Sequence, residues 1–312
     1  MSQKSMSGDV NNHNIEALRR CTLCPRNCRA DRLNGCRGKC SVTGADVLVA
    51  HTMLHRWEEP CISGPGGAGA VFLGGCGLGC VYCQNRAITG GAIGEYYSAA
   101  RLAELFLDLQ RRGADNLDLV TPTHYAPQII DAVATAKLNG LNIPVVWNSS
   151  GYEKADVIAA LRGTVDIYMP DFKYYSDELA ENFSRAPGYF AFASRAVAEM
   201  VAQVGQPVFD DGGMLRRGVI IRVLTLPGHT GDTMKIIRYL YHEFGDNVIL
   251  SIMGQYTPPA QIDFPELRNS LTQDEYDEVV EFASEIGVKR AYIQELGSVG
   301  ESFIPGFGTA GG

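Results

Sequence analysis

The sequence contains no cysteine after Cys83, although nine cysteines lie at or before that position in a chain of 312 residues. Any chemistry of the thiols is therefore assembled by the N-terminal part of the chain. The sequence also lacks an excess of positive charge, since 27 Lys and Arg stand against 35 Asp and Glu, for a net charge of −8. Proteins that bind nucleic-acid phosphates usually carry a basic patch. We therefore expect no nucleic-acid partner.

Long hydrophobic runs are absent as well. The first residues, MSQKSMSGDVNNHN, lack the apolar core of a signal peptide, and no later stretch is long and apolar enough to cross a bilayer. We therefore expect a cytoplasmic protein with no membrane partner. In a reducing compartment, thiols bind metals or do chemistry more often than they form disulfides, and the nine cysteines are interpreted on that basis.

The glycine-rich stretch GPGGAGA at 64–70 lacks what a phosphate-binding loop needs. No Gly-Lys-Ser/Thr follows it, and the next segment, AVFLGG, has the apolar pattern of a buried strand rather than of a helix. A nucleotide-binding P-loop is excluded. We interpret the glycines as a flexible approach to the loop that follows the strand.

From residue 98 onward, helical and strand patterns alternate. The helical pattern at 98–113 begins with Ser98 as its N-cap. Strands that alternate with helices of this length form right-handed βαβ units around a parallel sheet. Six such units with a seventh short strand are too few for a closed eight-stranded barrel. We therefore predict an α/β fold, a partial (β/α)6 TIM-type barrel. Strand patterns lie at 116–120, 143–148, 165–173, 218–226 and 247–254.

The domain organisation that we expect has four parts. Residues 1–20 form a flexible N-terminus, 21–61 a small loop-dominated cysteine-rich metal-binding segment, 62–300 the partial barrel, and 301–312 a C-terminal tail. In parallel barrels, the chemistry collects at the carboxyl ends of the strands, where the loops converge. Candidate site residues are therefore sought at those ends.

Three cysteines, Cys76, Cys80 and Cys83, directly follow the first barrel strand. A single compact loop with this C-x3-C-x2-C spacing directs three thiolates to one centre. Three protein ligands leave a coordination position open for a substrate, whereas four protein ligands close the site. A zinc site that uses Cys61 as its fourth ligand is the structural alternative.

This spacing, in a loop after the first strand of an α/β barrel, resembles the radical S-adenosylmethionine superfamily. The closer resemblance is to pyruvate formate-lyase activating enzymes, and in particular to a branch with a cysteine-rich N-terminal segment. The matching stretches over residues 21–173 are CTLCPRNCRADRLNGCRGKC, EEPCISG, GCGLGCVYCQN, VTPTHY and MPDFK, with weaker matches at RVLTLPGH and MGQY.

The resemblance implies a catalytic [4Fe-4S] cluster on Cys76, Cys80 and Cys83, whose uncovered iron is chelated by the amine and carboxylate of S-adenosylmethionine. Reductive cleavage of this cosubstrate would give methionine and a 5′-deoxyadenosyl radical. As an activating enzyme, the protein would abstract hydrogen from a glycine of a partner glycyl radical enzyme. Its electron would come from a donor such as flavodoxin or ferredoxin.

The resemblance also implies cofactor-binding residues at the strand ends. Tyr82 occupies the position of an aromatic residue that contacts adenine. Lys173 would pair with the methionine carboxylate, and Asp171 would bind a monovalent cation. Gln255 and Tyr256 end the sixth strand, where we expect substrate contacts. The remaining implied positions are Thr121, Thr123, Asn148, Ser150, Arg222 and His229.

Some of these positions depart from the family pattern. The segment 121–123 lacks the usual Gly-Gly-Glu, so threonine hydroxyls would have to bind the methionine amine. Asn148 replaces an aspartate, which removes one formal charge from the cation site. For Asp171 and Lys173 a mutual ion pair is the alternative, because residues two apart on a strand share a face. Packing or surface roles are the alternatives for Tyr82, Arg222 and His229.

A second set of cysteines lies in the N-terminal head. Its five members are too closely spaced for chance in a cytoplasmic protein. They predict either a zinc site or an auxiliary iron-sulfur cluster, since both take four thiolates. Reduced cysteines without a metal are the alternative. The members are Cys21, Cys24, Cys28, Cys36 and Cys40.

Two other functions stay open. A radical enzyme that modifies a peptide or small molecule would use the same cysteine loop, although many peptide-modifying enzymes carry further cysteines after the barrel, and here none follows Cys83. From another class, a zinc or iron-sulfur protein with a structural or electron-transfer role would bind metal without catalysis. Formation of 5′-deoxyadenosine from S-adenosylmethionine distinguishes the enzymes from this last class.

Overall fold

A computed structural model describes residues 15–294 and 296. The expected flexible N-terminus at 1–20 lies mostly outside this range, and the expected tail at 301–312 lies wholly outside it. Within the range, ten strands form the sheet. They are β1 Val47–His55, β2 Ala68–Leu73, β3 Glu95–Tyr97, β4 Asn116–Val120, β5 Val145–Ser149, β6 Ile167–Pro170, β7 Val208–Phe209, β8 Leu215–Leu224, β9 Ile249–Met253 and β10 Ala291–Ile293.

Seven strands run parallel, in the spatial order β2, β4, β5, β6, β8, β9, β10. Helical segments connect each of these strands to the next, which makes six β/α units and a seventh short strand. The sheet ends at β10 on one side and at β3 on the other and does not close. The prediction of a partial (β/α)6 TIM-type barrel is confirmed, and the loops after the parallel strands gather at one edge.

The helices begin and end where local chemistry places them. The predicted N-cap is confirmed, since the Ser98 hydroxyl accepts a hydrogen bond from the backbone N–H of Arg101. In the described part of the chain, no helix combines the length and apolarity of a membrane span. The helices are α1 Arg86–Thr89, α2 Ala99–Arg111, α3 Ala126–Leu138, α4 Ala155–Ala160, α5 Asp177–Ser184, α6 Tyr189–Val204, α7 Thr230–Phe244 and α8 Gln273–Glu285.

The cysteine-rich segment is not made of loops throughout. Its second half contains β1, a nine-residue strand that pairs antiparallel with β2 and with β3. The boundary that we expected between residues 61 and 62 therefore cuts through a hairpin of the barrel sheet. The strand forms because an apolar run begins at Val47, and the first three residues of this run are buried. We did not predict this strand from the sequence because it lies among cysteines that indicated a metal-binding segment.

The two largest of three apolar clusters in the described residues form layers that hold the barrel together. The larger layer packs helices against the outer face of the sheet and includes Phe106 and Trp147, both fully buried. The smaller layer fills the barrel interior near the amino ends of the strands and includes Cys61, Ile167 and Ile249. Burial of this apolar surface stabilises the fold by about 25 cal/mol per Å². Because side chains fill the amino end of the barrel, the polar chemistry is concentrated at the carboxyl end.

The glycine-rich stretch at 64–70 is a packing element, and our expectation of a flexible approach is wrong. A Cβ on Gly66 would lie 1.9 Å from the carbonyl oxygen of Gly113, so only glycine allows these backbones to approach. The backbone N–H groups of Gly66 and Gly67 donate to Asp115 Oδ2 at 2.9 and 3.0 Å. The stretch is therefore tied to the turn before β4.

Candidate active site

A cavity of about 260 Å³ opens at the carboxyl edge of the parallel sheet. Six strands lead into it, because residues at or near the ends of β2, β4, β5, β6, β8 and β9 all line it. Gln255 and Tyr256, where we expect substrate contacts, line it as well. One representative from each of the six strand ends is Leu73, Thr121, Asn148, Asp171, Arg222 and Met253.

The loop between β2 and α1 brings Cys76, Cys80 and Cys83 to this cavity. The backbone N–H of Cys76 donates to the carbonyl of Cys40 at 3.2 Å, which ties the loop to the cysteine-rich head. The Ser184 hydroxyl donates to the sulfur of Cys80 at 3.0 Å. The three thiols that the sequence placed in one loop therefore face one space.

Burial disfavours the thiolate form of two cysteines of this loop, Cys80 and Cys83. Burial raises the pKa of Cys83 to about 12, and the neighbouring Cys80 and Cys76 add to this rise while Lys173 opposes it. Burial also raises the pKa of Cys80, against the effects of Lys173 and the Ser184 hydrogen bond. A metal centre would have to displace these protons, as thiolate-bound metals do.

The residues present fit a [4Fe-4S] cluster. Such a cluster takes each thiolate on a separate iron atom, and three thiols on one cavity wall leave one iron for a cosubstrate. Across residues 15–294 and 296, no three His, Cys, Asp or Glu side chains converge as ligands of a single metal ion. Cys61, the fourth ligand in the zinc alternative, lies in the apolar layer at the opposite end of the barrel. The structure therefore does not assemble that zinc site.

A chain of hydrogen bonds leads from Tyr82 to the cysteine loop. The hydroxyls of Tyr82 and Tyr174 lie 2.7 Å apart, and those of Tyr174 and Ser184 lie 2.6 Å apart. Ser184 then bonds Cys80. The Tyr82 ring also meets Tyr256 edge-on, with ring centroids 6.1 Å apart. Tyr82 thus lines the cavity while its hydroxyl bonds that of Tyr174, and contact with adenine stays a prediction.

The charged residues of the cavity form one network around Asp171. Lys173 Nζ lies 2.8 Å from Asp171 Oδ2, and Arg222 Nε lies 3.1 Å from Asp171 Oδ1. Arg222 also donates to Asn148 Oδ1. Burial raises the pKa of Asp171, but the two cations outweigh it and hold the pKa below its ordinary value. Because Lys173 and Arg222 satisfy this carboxylate, the arrangement favours an ion-pair network over a monovalent cation site.

Two further acids belong to this network, the partly buried Glu58 and the buried Asp118, and we predicted neither from the sequence. Glu58 follows β1, and its Oε2 lies 3.2 Å from Arg222 Nη1 on the cavity wall. Asp118 in β4 accepts a hydrogen bond from Asn148 Nδ2 at 3.3 Å. Burial raises the pKa of Glu58 to about 8 and that of Asp118 to about 7. An acid inside the apolar strand NLDLV was the available signal for Asp118, since an unpaired acid is rarely buried.

The threonine segment after β4 divides between the cavity and the core. Thr121 lines the cavity in a left-handed backbone conformation, with φ of 61°, which is strained for a β-branched residue. Thr123 does not line the cavity, and its hydroxyl instead donates to buried Glu153 at 2.8 Å. Ser150 lines the cavity beside Asn148. Of the two threonines, only Thr121 is placed to contact a cofactor.

His229 does not reach the cavity. It precedes α7, its ring packs against Phe183 with centroids 5.3 Å apart, and its Nε2 lies 3.9 Å from Glu266 Oε1. The resemblance implies a cofactor-binding role for His229, but the structure places this residue outside the cavity lining. The cause is the turn after β8, because the four residues between Leu224 and His229 carry it away from the strand end.

The fold brings four of the five head cysteines into one region and leaves the fifth outside this group. The thiols of Cys24 and Cys40 each interact electrostatically with those of Cys21 and Cys28. Cys36 is exposed. All nine cysteines of the chain are free thiols. The expected set of five is thus reduced to a group of four that share one region.

Comparison with known proteins identifies the family. The sequence model of the Radical SAM superfamily matches residues 71–240, more than half of the chain, and this span contains the three-cysteine loop and five of the six strand ends that line the cavity, all but that of β9. The chain belongs to the radical SAM superfamily. The family implies a [4Fe-4S] cluster and S-adenosylmethionine, in agreement with the fit of the cysteine loop.

The chain is also similar to one curated relative and to several solved structures. The uncharacterized protein MJ0674 of Methanocaldococcus jannaschii is 27% identical over 286 residues, which cover 88% of this chain and 77% of that protein. HydG, a maturase of the [FeFe]-hydrogenase, matches 72% of this chain and 50% of its own at 15% identity, with a TM-score of 0.48. Streptococcus suis SuiB bound to S-adenosylmethionine matches 70% of this chain and 48% of its own at 8% identity, with a TM-score of 0.46. The chain thus spans about half the length of these two structures.

Proposed function

We propose that this protein cleaves S-adenosylmethionine reductively at the loop of Cys76, Cys80 and Cys83 and abstracts hydrogen from a glycine of a glycyl radical enzyme. The observation that carries the proposal is that this loop and the ion-pair network of Asp171, Lys173 and Arg222 line one cavity. A [4Fe-4S] cluster with bound S-adenosylmethionine supplies cleavage to methionine and a 5′-deoxyadenosyl radical, with one electron from a flavodoxin- or ferredoxin-type donor.

The residues around the loop would orient the cosubstrate. Lys173, whose ammonium is held by Asp171, offers the methionine carboxylate a fixed positive charge close to Cys80. Asn148, Ser150 and Thr121 contribute polar groups to the cavity wall. Tyr82 and the apolar residues beside it keep water from the reacting bond.

The open barrel favours a peptide segment as the hydrogen donor. The sheet stops at β3 and β10 without closing, and Trp57, which lines the cavity, is 67% exposed. Gln84 and Gln255 line the same cavity and can bond a peptide main chain. Tryptophan is typical of surfaces that bind other chains. Transfer of a Cα hydrogen would leave 5′-deoxyadenosine and a glycine-centred radical on the partner.

The first experiment measures cleavage. We expect anaerobically reconstituted protein to convert S-adenosylmethionine to 5′-deoxyadenosine and methionine when dithionite is added. Cys80→Ala should abolish the product because it removes a ligand. Cys36→Ser should keep it, because Cys36 is exposed and does not line the cavity. Absence of 5′-deoxyadenosine from the loaded wild-type protein would refute an enzymatic role.

The second experiment identifies the hydrogen donor. Incubation with glycyl radical enzymes encoded in the same genome should give the paramagnetic signal of a glycine-centred radical. If 5′-deoxyadenosine forms but no such partner gives a glycine-radical signal, the hydrogen donor is another peptide or a small molecule. That result would overturn the activating role and leave the cleavage reaction standing.

A further inference from the structure

The group of four head cysteines is not used by the proposed function. We infer that Cys21, Cys24, Cys28 and Cys40 bind a second [4Fe-4S] cluster that lies against the loop of the first. Cys36 takes no part in it. Since four thiolates would cover all four iron atoms, this centre has no position for S-adenosylmethionine.

The positions of the sulfurs bring the four residues together. A Cβ built on Gly38 would lie 3.2 Å from the sulfur of Cys40 and 3.4 Å from that of Cys28, so both thiols point toward one turn. The thiol of Cys24 interacts electrostatically with those of Cys40, Cys21 and Cys28. Thiols from two separate turns of the head are therefore collected in one region.

The backbone around these cysteines is held in strained conformations. Asn27 and Arg29 flank Cys28 with φ of 43° and 55°, and Ser41 follows Cys40 with φ of 66°. Such conformations cost about 1 to 3 kcal/mol each in non-glycine residues and persist where the surrounding structure imposes them. Here they lie in the turns that carry Cys28 and Cys40. A ligand that binds all four thiolates would offset this cost.

The head is anchored directly on the loop of Cys76, Cys80 and Cys83. Arg26, which lies between two of the four cysteines, donates to the carbonyls of Gly77 and Leu78 at 2.7 and 2.6 Å. A Cβ on Gly77 would lie 3.6 Å from the sulfur of Cys24. The second centre would therefore abut the first loop, and its assembly would help to fix the position of that loop.

An iron-sulfur cluster suits this group better than zinc does. A structural zinc ion holds four sulfurs at about 2.3 Å from one point, and no such convergence of three or more ligands is found in residues 15–294 and 296. A cluster binds each thiolate at a different iron atom and accepts a wider group. The loop of Cys76, Cys80 and Cys83, in the part of the chain that matches an iron-sulfur family, shows no such convergence on a single point either.

The test removes the first loop and asks what metal stays. In the full chain with Cys76→Ala, Cys80→Ala and Cys83→Ala, reconstituted anaerobically, we expect about four iron and four sulfide per chain, against about eight of each in the wild type. Dithionite should give the paramagnetic signal of a reduced cluster. Adding Cys24→Ser or, in a separate variant, Cys28→Ser should remove this iron, whereas adding Cys36→Ser should leave it unchanged.

Three results would overturn the inference. They are one zinc per chain in the triple variant, no metal at all in that variant, or equal iron loss in the Cys36 and Cys24 variants. Circular dichroism and gel filtration identify variants that fail to fold, and the two separate ligand variants guard against such a loss. Because the readout needs no S-adenosylmethionine, it stands or falls independently of the cleavage reaction.

Discussion

At the scale of single residues, the charge balance of the site depends on Arg222. Its guanidinium contacts Asp171, Glu58 and Asn148 from one position in β8. Burial lowers the pKa of Arg222, but the surrounding acids, Asp171 first, raise it above its ordinary value. Removing one partner of a buried pair leaves an uncompensated charge at a cost of about 3 to 5 kcal/mol. Arg222 is thus a positioning residue that keeps Asp171 and, through it, Lys173 in place.

Lys173 gives a prediction for cosubstrate binding. Lys173→Ala removes the ammonium proposed to bind the methionine carboxylate, and hydrogen bonds to charged groups contribute about 1.5 to 3 kcal/mol. We expect the Kd for S-adenosylmethionine to rise roughly ten- to a hundredfold. Lys137→Ala is the control, because this lysine on α3 bonds backbone carbonyls away from the cavity. Isothermal titration of the two reconstituted variants measures the Kd of each for S-adenosylmethionine. Equal Kd values would contradict the role of Lys173 in binding the methionine carboxylate.

Glu58 makes the stability of the fold depend on pH. Burial raises its pKa from 4.5 to about 8, and Asp118 adds to this rise. The folded protein therefore holds a proton that the unfolded chain loses, so the free energy of unfolding falls as the pH rises from about 4.5 to about 8.

The variant Glu58→Gln tests this dependence. It has no proton to lose, and each unit of pKa difference corresponds to about 1.4 kcal/mol, so we expect a flatter dependence on pH. Urea unfolding at pH 5 and pH 8 measures the change. Glu278→Gln, at an exposed position on α8, should keep the slope of the wild type. A wild-type slope in the Glu58 variant would exclude Glu58 as its source.

At the scale of elements, the strand β1 does more than extend the sheet. It pairs with β2 along most of its length, and the chain that leaves it carries Trp57 and Glu58 into the cavity lining. An antiparallel strand thus delivers side chains to a site otherwise built from parallel strand ends. The cysteine-rich segment therefore shapes the cavity through its strand as well as through its thiols.

The glycine-rich stretch gives a prediction for folding. Gly66→Ala would place a Cβ against the carbonyl oxygen of Gly113, and neither backbone can yield easily, so we expect a loss of about 1 to 3 kcal/mol in unfolding free energy. Gly90→Ala is the matched control, since Gly90 has φ of −76° and open space around its Cβ position. Its effect should stay within about 0.5 kcal/mol. Denaturant unfolding measures the unfolding free energy of both variants. Equal values for the two would show that the stretch is not tightly packed.

At the scale of the whole molecule, the head and the barrel form a continuous unit. Arg32 is fully buried and donates to the carbonyl of His124 at 2.6 Å, while Arg26 bonds the cysteine loop and the end of α5. These bonds run between parts of the chain that are far apart in sequence. The head is thereby held across the edge of the barrel where the cavity opens.

Metal removal should therefore affect the stability of the entire chain. A ligand that binds only the folded state raises Tm, so anaerobic treatment of the reconstituted protein with an iron chelator should lower Tm. A loss of 1 kcal/mol corresponds to a shift of about 2 to 4 °C in a chain of 150 to 250 residues, and somewhat less in a longer one. Differential scanning calorimetry measures the shift. The same treatment of the variant without Cys76, Cys80 and Cys83 should lower Tm by less than it does in the wild type. An equal decrease in the two proteins would contradict a metal centre at that loop.

Local patterns were sufficient for the fold class and for the cysteine loop. Alternating helix and strand periods predict β/α units because each unit is a local structure with its own apolar face. Cys76, Cys80 and Cys83 lie within one short loop, and Asp171 and Lys173 lie two residues apart, so their proximity needed no tertiary information. The residues that were missed make long-range contacts: Glu58 meets Arg222, 164 positions away, and Ser184 meets Cys80, 104 positions away.

The sequence by itself determined that three thiols would share one loop after a barrel strand, since chain connectivity keeps neighbours together whatever the rest of the fold does. Only the tertiary structure decided which of the other polar residues meet that loop. It placed His229 and Thr123 outside the cavity lining and Glu58 within it. It also left Cys36 exposed at the surface. These outcomes depend on the path of turns and on strand order, because contacts between distant residues form only when the whole sheet is assembled.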